Sequence, residues 1–459
     1  MAKMHKLIQN EYIKTWKKVS TKVLFIIIAI SVLALMGLGK IVESEINSSW
    51  DYIYEGGLDY SYELSQAEKM KYEGYEIDIE MYNFIMDNEL LPGSWKAEAA
   101  REAFSYELGD KNKVECTYTQ EERINILQII KSGDWKKYCE FMVKSLKKQG
   151  YSEAYIWEYQ YRISKNIPLP ENSMERFEYP NSVINSVAGA KVCIADSKTS
   201  GEEFTNDTEE WENVITLGMY RLENDIELNV AENTSLLTSQ TVNFWVMLCQ
   251  SSSLITVIGV LIIIIAGSTV ANEFSNGTIK FLLINPVKRW KILVSKYIMC
   301  LSMGFLMIVL LYGLSVLFSI LFFGTEHLSC TYLDVVDGVV ESRNPFVYVF
   351  KNYMFRSVQV LVMATLAFAI SSLAKNSAMS IGISLFAMLS GNSIVSIFKS
   401  ELNQDWVRYL IFANTDFSAV INGTSGFANH TLSFAIGVVA IHMFVFLLIA
   451  WDGFTKREI

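Results

Sequence analysis

Apolar positions in this chain gather into long unbroken runs rather than spreading evenly, and the runs are set apart by charged stretches. Six of them, Val23–Leu38, Phe244–Ala266, Ile292–Phe323, Ser357–Leu373, Met379–Ile397 and Ser433–Trp451, reach or approach the roughly 17–25 residues a helix needs to cross a bilayer. The pattern predicts a polytopic α-helical membrane protein with six spans. Between the first two runs the pattern changes. Residues 40–242 hold apolar positions at helical spacing, predicting helices over Gln66–Leu90, Trp95–Leu108, Trp135–Lys148, Ser152–Lys165 and Glu209–Asp225. Thr119 with Glu122 has the spacing of a capping box that opens a further helix, with Ile126, Leu127, Ile129 and Ile130 on its apolar side. A β-branched, glycine-containing stretch at Val183–Lys198 suits a hairpin, and Thr199–Glu212 reads as a polar acidic loop. This intervening region is therefore a domain of its own, mainly α or α+β.

Charge orients the chain. Lys3, Lys6, Lys14, Lys17, Lys18 and Lys22 precede the first run, Lys456 and Arg457 follow the last, and Lys280, Lys288, Arg289, Lys291 and Lys375 sit in two further short connections. By the positive-inside rule all of these are cytoplasmic, which puts both termini inside and residues 40–242 outside. The formal charge of -10 averages two opposite regions, since residues 40–242 carry 38 acidic and 20 basic side chains and the remainder 11 and 19. Such an outer domain repels nucleic acid. Its acidity suits a solvated surface first and a cationic peptide second. The expected organisation is an elbow helix and first span in 1–39, the acidic extracytoplasmic domain in 40–242, and spans two to six in 243–459. No small-residue cleavage site follows the first run, so it reads as a retained anchor.

Catalytic and cofactor motifs are absent. There is no GxxxxGK[ST] phosphate loop, no metal spacing around His5, His327, His430 or His442, and no GxSxG elbow. No catalytic residue and no metal site is expected.

The segment EFSNGTIKFLLINPVKRWKILVSK, Glu273 to Lys296, follows closely on the second run. A helix after Gly277 and Thr278 would align Ile279, Leu282 and Leu283 on one face suited to a partner's groove, with Pro286 ending it. Arg289, Lys291 and Lys296 would then hold the next span at the lipid headgroups. Glu273 either touches the partner or braces the loop by pairing with Lys280 or Arg289. At the N-terminus Ile8, Tyr12, Trp16 and Val19 fall on one helical side and Lys6, Lys14, Lys17 and Lys18 largely away from it, as in a helix lying in the membrane interface.

These residues resemble the ABC-2 type transporter permeases, whose pattern E…GTxxxLL…P…R…K follows the second helix. The Asn10, Glu11 and Lys14 arrangement is similar to that family's elbow helix, and the ending from Gly453 to Ile459 to its basic tail. The resemblance implies six spans of ABC-2, type V exporter-like architecture in a bacterial plasma membrane. It implies a permease that moves a substrate out of the cell with cytoplasmic ATPase subunits, which bind the ATP and magnesium, and with a second permease chain, like or unlike. It assigns ATPase coupling to Glu11, Lys14, Glu273, Gly277, Thr278, Ile279, Leu282, Leu283, Pro286 and Arg289. It also matches short apolar stretches within Lys399–Thr431 to re-entrant helices. The outer domain is not covered by it.

Polar groups inside spans are costly and face protein or water. Gln250, Ser252, Gln359, Asn392 and His442 are the candidates for a translocation path, with helix–helix hydrogen bonding as the alternative. Two other classes remain open: a mechanotransmission permease resembling FtsX, which has four spans, and a membrane sensor with an outer ligand-binding domain. The cargo suggested by the acidic surface is a peptide or lipid-like antimicrobial.

Overall fold

The computed structural model describes residues 2–54, 60–69, 74–108, 114–200, 205–226, 242–278, 287–325, 328, 332–336, 338–374, 376–401, 405–421, 425–427 and 430–456. It divides into two units. One comprises Met1–Lys40, Val242–Cys330 and Asn344–Ile459, and the other Ile41–Thr241 with Thr331–Arg343.

The first unit holds helices long and apolar enough to cross a membrane. Among the described residues there are six: Val19–Glu45, Phe244–Ser275, Arg289–Phe323, Pro345–Leu373, Ser377–Lys399 and Leu432–Thr455. All six predicted runs are present, each extended by polar flanks that hydropathy alone does not count. Side-chain caps set several starts. Asn243 accepts from the Trp245 and Val246 amides, Asn344 from Phe346 and Val347 with Pro345 at the first helical position, Asn376 from Ala378, and Thr431 from Phe434. The second and fourth spans form the centre. Buried residues make up 61% and 50% of their most apolar windows, against 17% for the fifth and sixth, whose outward Phe386, Leu389, Ile441 and Phe444 are left exposed. Such faces suit lipid contact.

Between the fifth and sixth spans the chain makes short turns of helix, Asp405–Tyr409, Ile411–Asn414 and Phe417–Ile421. The fifth span approaches them closely at Gly391, where any Cβ would run into the Phe412 ring. That glycine is required by space.

The second unit is mainly helical. Its core gathers Ile85, Trp95, Ala99, Phe104, Ile126, Tyr138, Cys139 and Met142 from helices Tyr75–Asp87, Trp95–Ala103, Gln120–Ser132 and Trp135–Lys148. The capping box is formed: Thr119 Oγ1 accepts from the Glu122 amide at 3.3 Å and Glu122 Oε2 accepts from the Thr119 amide at 3.0 Å. Cys116, Cys139 and Cys193 are free thiols, and burial pushes the Cys139 thiol up to about 12.

Several expectations for this unit are corrected. Val183–Lys198 is no hairpin; it lies within the helix Asn181–Ser200, because Val183, Ile184, Val187 and Ala190 recur at helical spacing and are all buried. The β-branched residues misled locally, and burial on one stripe decided. Thr199–Glu212 is not a loop throughout, since a helix begins at Thr205. Gln66–Leu90 holds two helices, Ser61–Lys69 and Tyr75–Asp87, with Gly74 at φ 101° before the second. The Trp95 helix stops at Ala103, and the chain turns into a two-stranded antiparallel pair, β1 (Tyr106–Leu108) and β2 (Val114–Cys116). A second pair, β3 (Tyr332–Val336) and β4 (Val339–Arg343), comes from the connection between the third and fourth spans and belongs to this unit. Leu333, Val335 and Val340 of that pair pack with Leu217 and Ile226.

The Glu122 carboxyl is held down at about 2, chiefly by the hydrogen bond from Lys148 and then by the Thr119 amide and hydroxyl. A depressed carboxyl contributes stability that is complete above its unfolded value near pH 4.3 and is lost as pH falls through its folded value. Thr119→Ala should destabilise this unit by about 1 kcal/mol. Glu122→Gln should lower the melting temperature at pH 7, and the gap from the parent chain should close between about pH 4.5 and pH 2. Thermal melts of the full chain across that range check both.

Candidate functional site

A charged cluster lies where the N-terminal helix, the end of the second span and the start of the third meet. Helix Ala2–Trp16 lies against Arg289–Phe323, and the face it turns to protein is polar. Glu11 and Thr15, one turn apart, are 6% and 8% exposed, whereas Ile13, Trp16 and Val19 are left open at 44% or more. Of the expected apolar stripe, Trp16 and Val19 are open while Ile8 and Tyr12 are half-buried. The open part stays available to lipid.

Opposite Glu11 stands Lys296, only 1% exposed. Its ammonium donates to Glu11 Oε2 at 2.8 Å and to Glu273 Oε1 at 3.2 Å. Lys14, about half exposed, stands 3.8 Å from Glu11 Oε1 and 3.7 Å from Glu273 Oε1. Thr278 Oγ1 donates to the other oxygen of Glu273. Two carboxylates and two ammonium groups therefore balance, and the most deeply buried charge has two acceptors. An unpaired ammonium at that depth would cost several kcal/mol, roughly the value for a buried ion stripped of water.

Two expectations change here. Lys296 does not reach for headgroups, because its side chain is enclosed between the two carboxylates. Glu273 braces through Lys296 and Lys14 rather than through Arg289, whose Nη1 donates to the Thr455 carbonyl at 3.3 Å. Gly277 ends the short helix Ala271–Ser275 at φ 67°. Ile279, Lys280, Leu282, Leu283 and Pro286 lie outside the described residues.

The candidates for a path through the membrane are dispersed. Gln250 and Asn392 are exposed, Gln359 is half-buried, and His442 Nδ1 bonds the Val438 carbonyl of its own helix at 2.9 Å. Ser252 is the exception. It lies in the 3₁₀ turn Ser251–Leu254 that interrupts the second span, and it accepts from Arg356 Nη1 at 2.6 Å. Arg356 Nε is 3.4 Å from Asp416 Oδ2, while Asp416 Oδ1 caps the helix Phe417–Ile421 by accepting from the Ser418 and Ala419 amides. Tyr353 OH adds bonds to Ser251 Oγ at 2.7 Å and to the Leu248 carbonyl at 2.9 Å. Arg356 and Asp416 escaped the sequence reading. The signal was a lone arginine at the edge of an apolar run.

Comparison with known proteins adds kinship. A family model described as a protein of unknown function (DUF2705) matches residues 216–459. The chain belongs to the DUF2705 family. An uncharacterized protein of Bacillus subtilis (strain 168), YhcI, is 35% identical over 251 residues, 54% of this chain and 76% of the relative. An uncharacterized membrane protein of the same organism, YdbK, is 34% identical over 218 residues, 47% of this chain and 84% of the relative. No solved structure matches. With its apolar helices and this membrane relative, the chain is a multi-pass membrane protein. The DUF2705 match takes in Glu273, Lys296, Ser252, Arg356 and Asp416 but starts beyond Glu11 and Lys14. Half of the charged cluster is thus supplied from outside the DUF2705 region.

Lys296→Met leaves Glu11 and Glu273 with only the half-exposed Lys14 as a shared cation, and should destabilise the detergent-solubilised chain by about 3–5 kcal/mol. Combining it with Glu11→Gln and Glu273→Gln should recover most of that loss. Thermal unfolding of the single and triple variants is the measurement, and equal melting temperatures would show that the charges do not act together.

Proposed function

We propose that the chain is the membrane permease subunit of an ATP-binding cassette exporter of the ABC-2 class, working with separate ATPase subunits and a second permease chain. The observation that carries this reading is the meeting of Glu11, Lys14 and Glu273 around Lys296. Three of the residues expected to take up force from an ATPase come from two distant parts of the chain, and they share one ion cluster. A partner that presses on the segment after Thr278 acts on Glu273, and through Lys296 on the elbow and the third span together.

The remaining parts follow from that reading. The lysine bias supports a cytoplasmic location for the cluster and both termini, and an extracytoplasmic one for residues 40–242. Without a phosphate loop of its own, the chain supplies the path and the transmission while ATP and magnesium stay on the partner. The FtsX-like alternative has four spans, and the helices Ser377–Lys399 and Leu432–Thr455 speak against it, being long and apolar enough for two more crossings. A sensor with an outer ligand-binding domain lacks comparable support.

Co-expression with an ATPase encoded beside the chain should give a complex that copurifies. Leu282→Asp with Leu283→Asp should abolish the complex, and Glu273→Ala should lower transport while leaving the ATPase bound. An ATPase that never copurifies, together with transport indifferent to Glu273→Ala and Arg289→Ala, would sink the proposal.

A further inference from the structure

The second span is broken at both ends of its straight section, and the fourth span is bonded to both breaks. At one end helix Ile255–Thr269 gives way at Val270, and the tip Ala271–Ser275, which carries Glu273, starts as a separate turn. The amides of Val270 and Ala271 both turn to a single oxygen, Ser371 Oγ, at 3.2 and 3.0 Å. All three residues are fully buried. Water has no access to replace that acceptor, so the hydroxyl alone satisfies two donors. Just before the break, Ser268 and Thr269 hydroxyls both bond back to the Ile265 carbonyl, a pattern that bends helices.

At the other end the 3₁₀ turn Ser251–Leu254 is held by Arg356 and Tyr353 of the same fourth span. Arg356 also engages Asp416, the cap of Phe417–Ile421. Ser371 and Arg356 are separated along the fourth span by about 22 Å at the helical rise. Between them the two spans pack closely over their whole length.

We infer that the second and fourth spans act as a two-bar linkage pinned at Ser371 and Arg356, so that a shift of the Glu273 tip is delivered to the short helices at Asp405–Ile421 at the opposite end. Ser371 is the positioning residue of the linkage. It is fully buried, and acts by fixing which way the tip moves. The inference rests on the permease reading only for the source of the push. A shift at the tip travels along Val358–Leu373, which is unbroken and whose Val362, Ala364 and Phe368 are fully packed, and passes to helix Pro345–Arg356 across Ser357, whose amide donates to the Tyr353 carbonyl at 2.9 Å and whose carbonyl accepts from the Leu361 amide at 3.2 Å. At Arg356 the shift meets an ion pair whose partners are each about 40% exposed, so their contact is open to change.

Hydrogen–deuterium exchange of the full chain in lipid nanodiscs, without any ATPase, tests this. Ser371→Ala should speed exchange at residues 268–276 at least about tenfold, the effect of leaving the buried Val270 and Ala271 amides without their acceptor. It should also speed exchange at 411–421 while leaving 255–266 unchanged, and Ser371→Thr should restore the parent pattern. In an Arg356→Gln background, where 411–421 already exchanges fast, Ser371→Ala should add nothing there. Coupling is reciprocal, so Arg356→Gln alone should speed exchange at 268–276. This arm stands even where Ser371→Ala fails to fold. A chain in which neither substitution is felt at the other end overturns the linkage. Because no ATPase is present, failed copurification together with indifferent transport would refute the permease reading and leave this result untouched.

Discussion

A lysine enclosed among carboxylates is the constraint on which the membrane unit depends. At 1% exposure the Lys296 ammonium is costly to bury unless Glu11 and Glu273 both remain against it. Each carboxylate comes from a different helix, and the pair Glu11–Lys296 is 285 positions apart in sequence. Moving the elbow, the tip of the second span or the start of the third by more than a hydrogen-bond length therefore exposes an unpaired charge to a low-dielectric interior. That is why a helix as short as Ala2–Trp16, with little protein-facing apolar area, nonetheless has a defined seat.

The same constraint shapes the centre of the unit. Fixing Glu273 at the cluster fixes the tip Ala271–Ser275, and the break at Val270 follows because the straight axis of the second span cannot continue into that position. Ser371 then becomes obligatory, for two buried amides need an acceptor and no water can reach them. Close approach of neighbouring helices makes this workable. A Cβ on Gly267 would lie 3.0 Å from the Ile381 side chain and 3.4 Å from its amide nitrogen, so the fifth span sits almost against the backbone of the second beside the break.

Sequence made some of this legible and hid the rest for physical reasons. The six spans could be read because hydropathy over a whole run outweighs any local detail, and the capping box at Thr119 because its geometry depends on neighbours three residues apart. Glu11, Lys14 and Glu273 were singled out through motif resemblance, yet their pairing with Lys296 was not. A lysine at the start of a span looks the same in sequence whether it meets headgroups or two carboxylates. Ser371 had no signal, since serine is common in such helices and its significance arises only from a break in another one. Asn181–Ser200 was misread because Val183, Ile184 and Val187 carry β propensity that one-sided burial overrides.

The two ends of the second span are stabilised by different chemistry, and that difference bears on how such a unit could work. At the Lys296 end, charges are buried and mutually neutralised, so separating them is expensive and the three helices move together or not at all. At the Arg356 end the pair with Asp416 is half exposed, and exposed ion pairs contribute only about 0–1 kcal/mol. A displacement imposed at the stiff end is consequently absorbed at the soft one. Stiffness at the Lys296 end and compliance near the short helices 405–421 is the order in which a displacement imposed at the first end reaches the second without being lost at its origin.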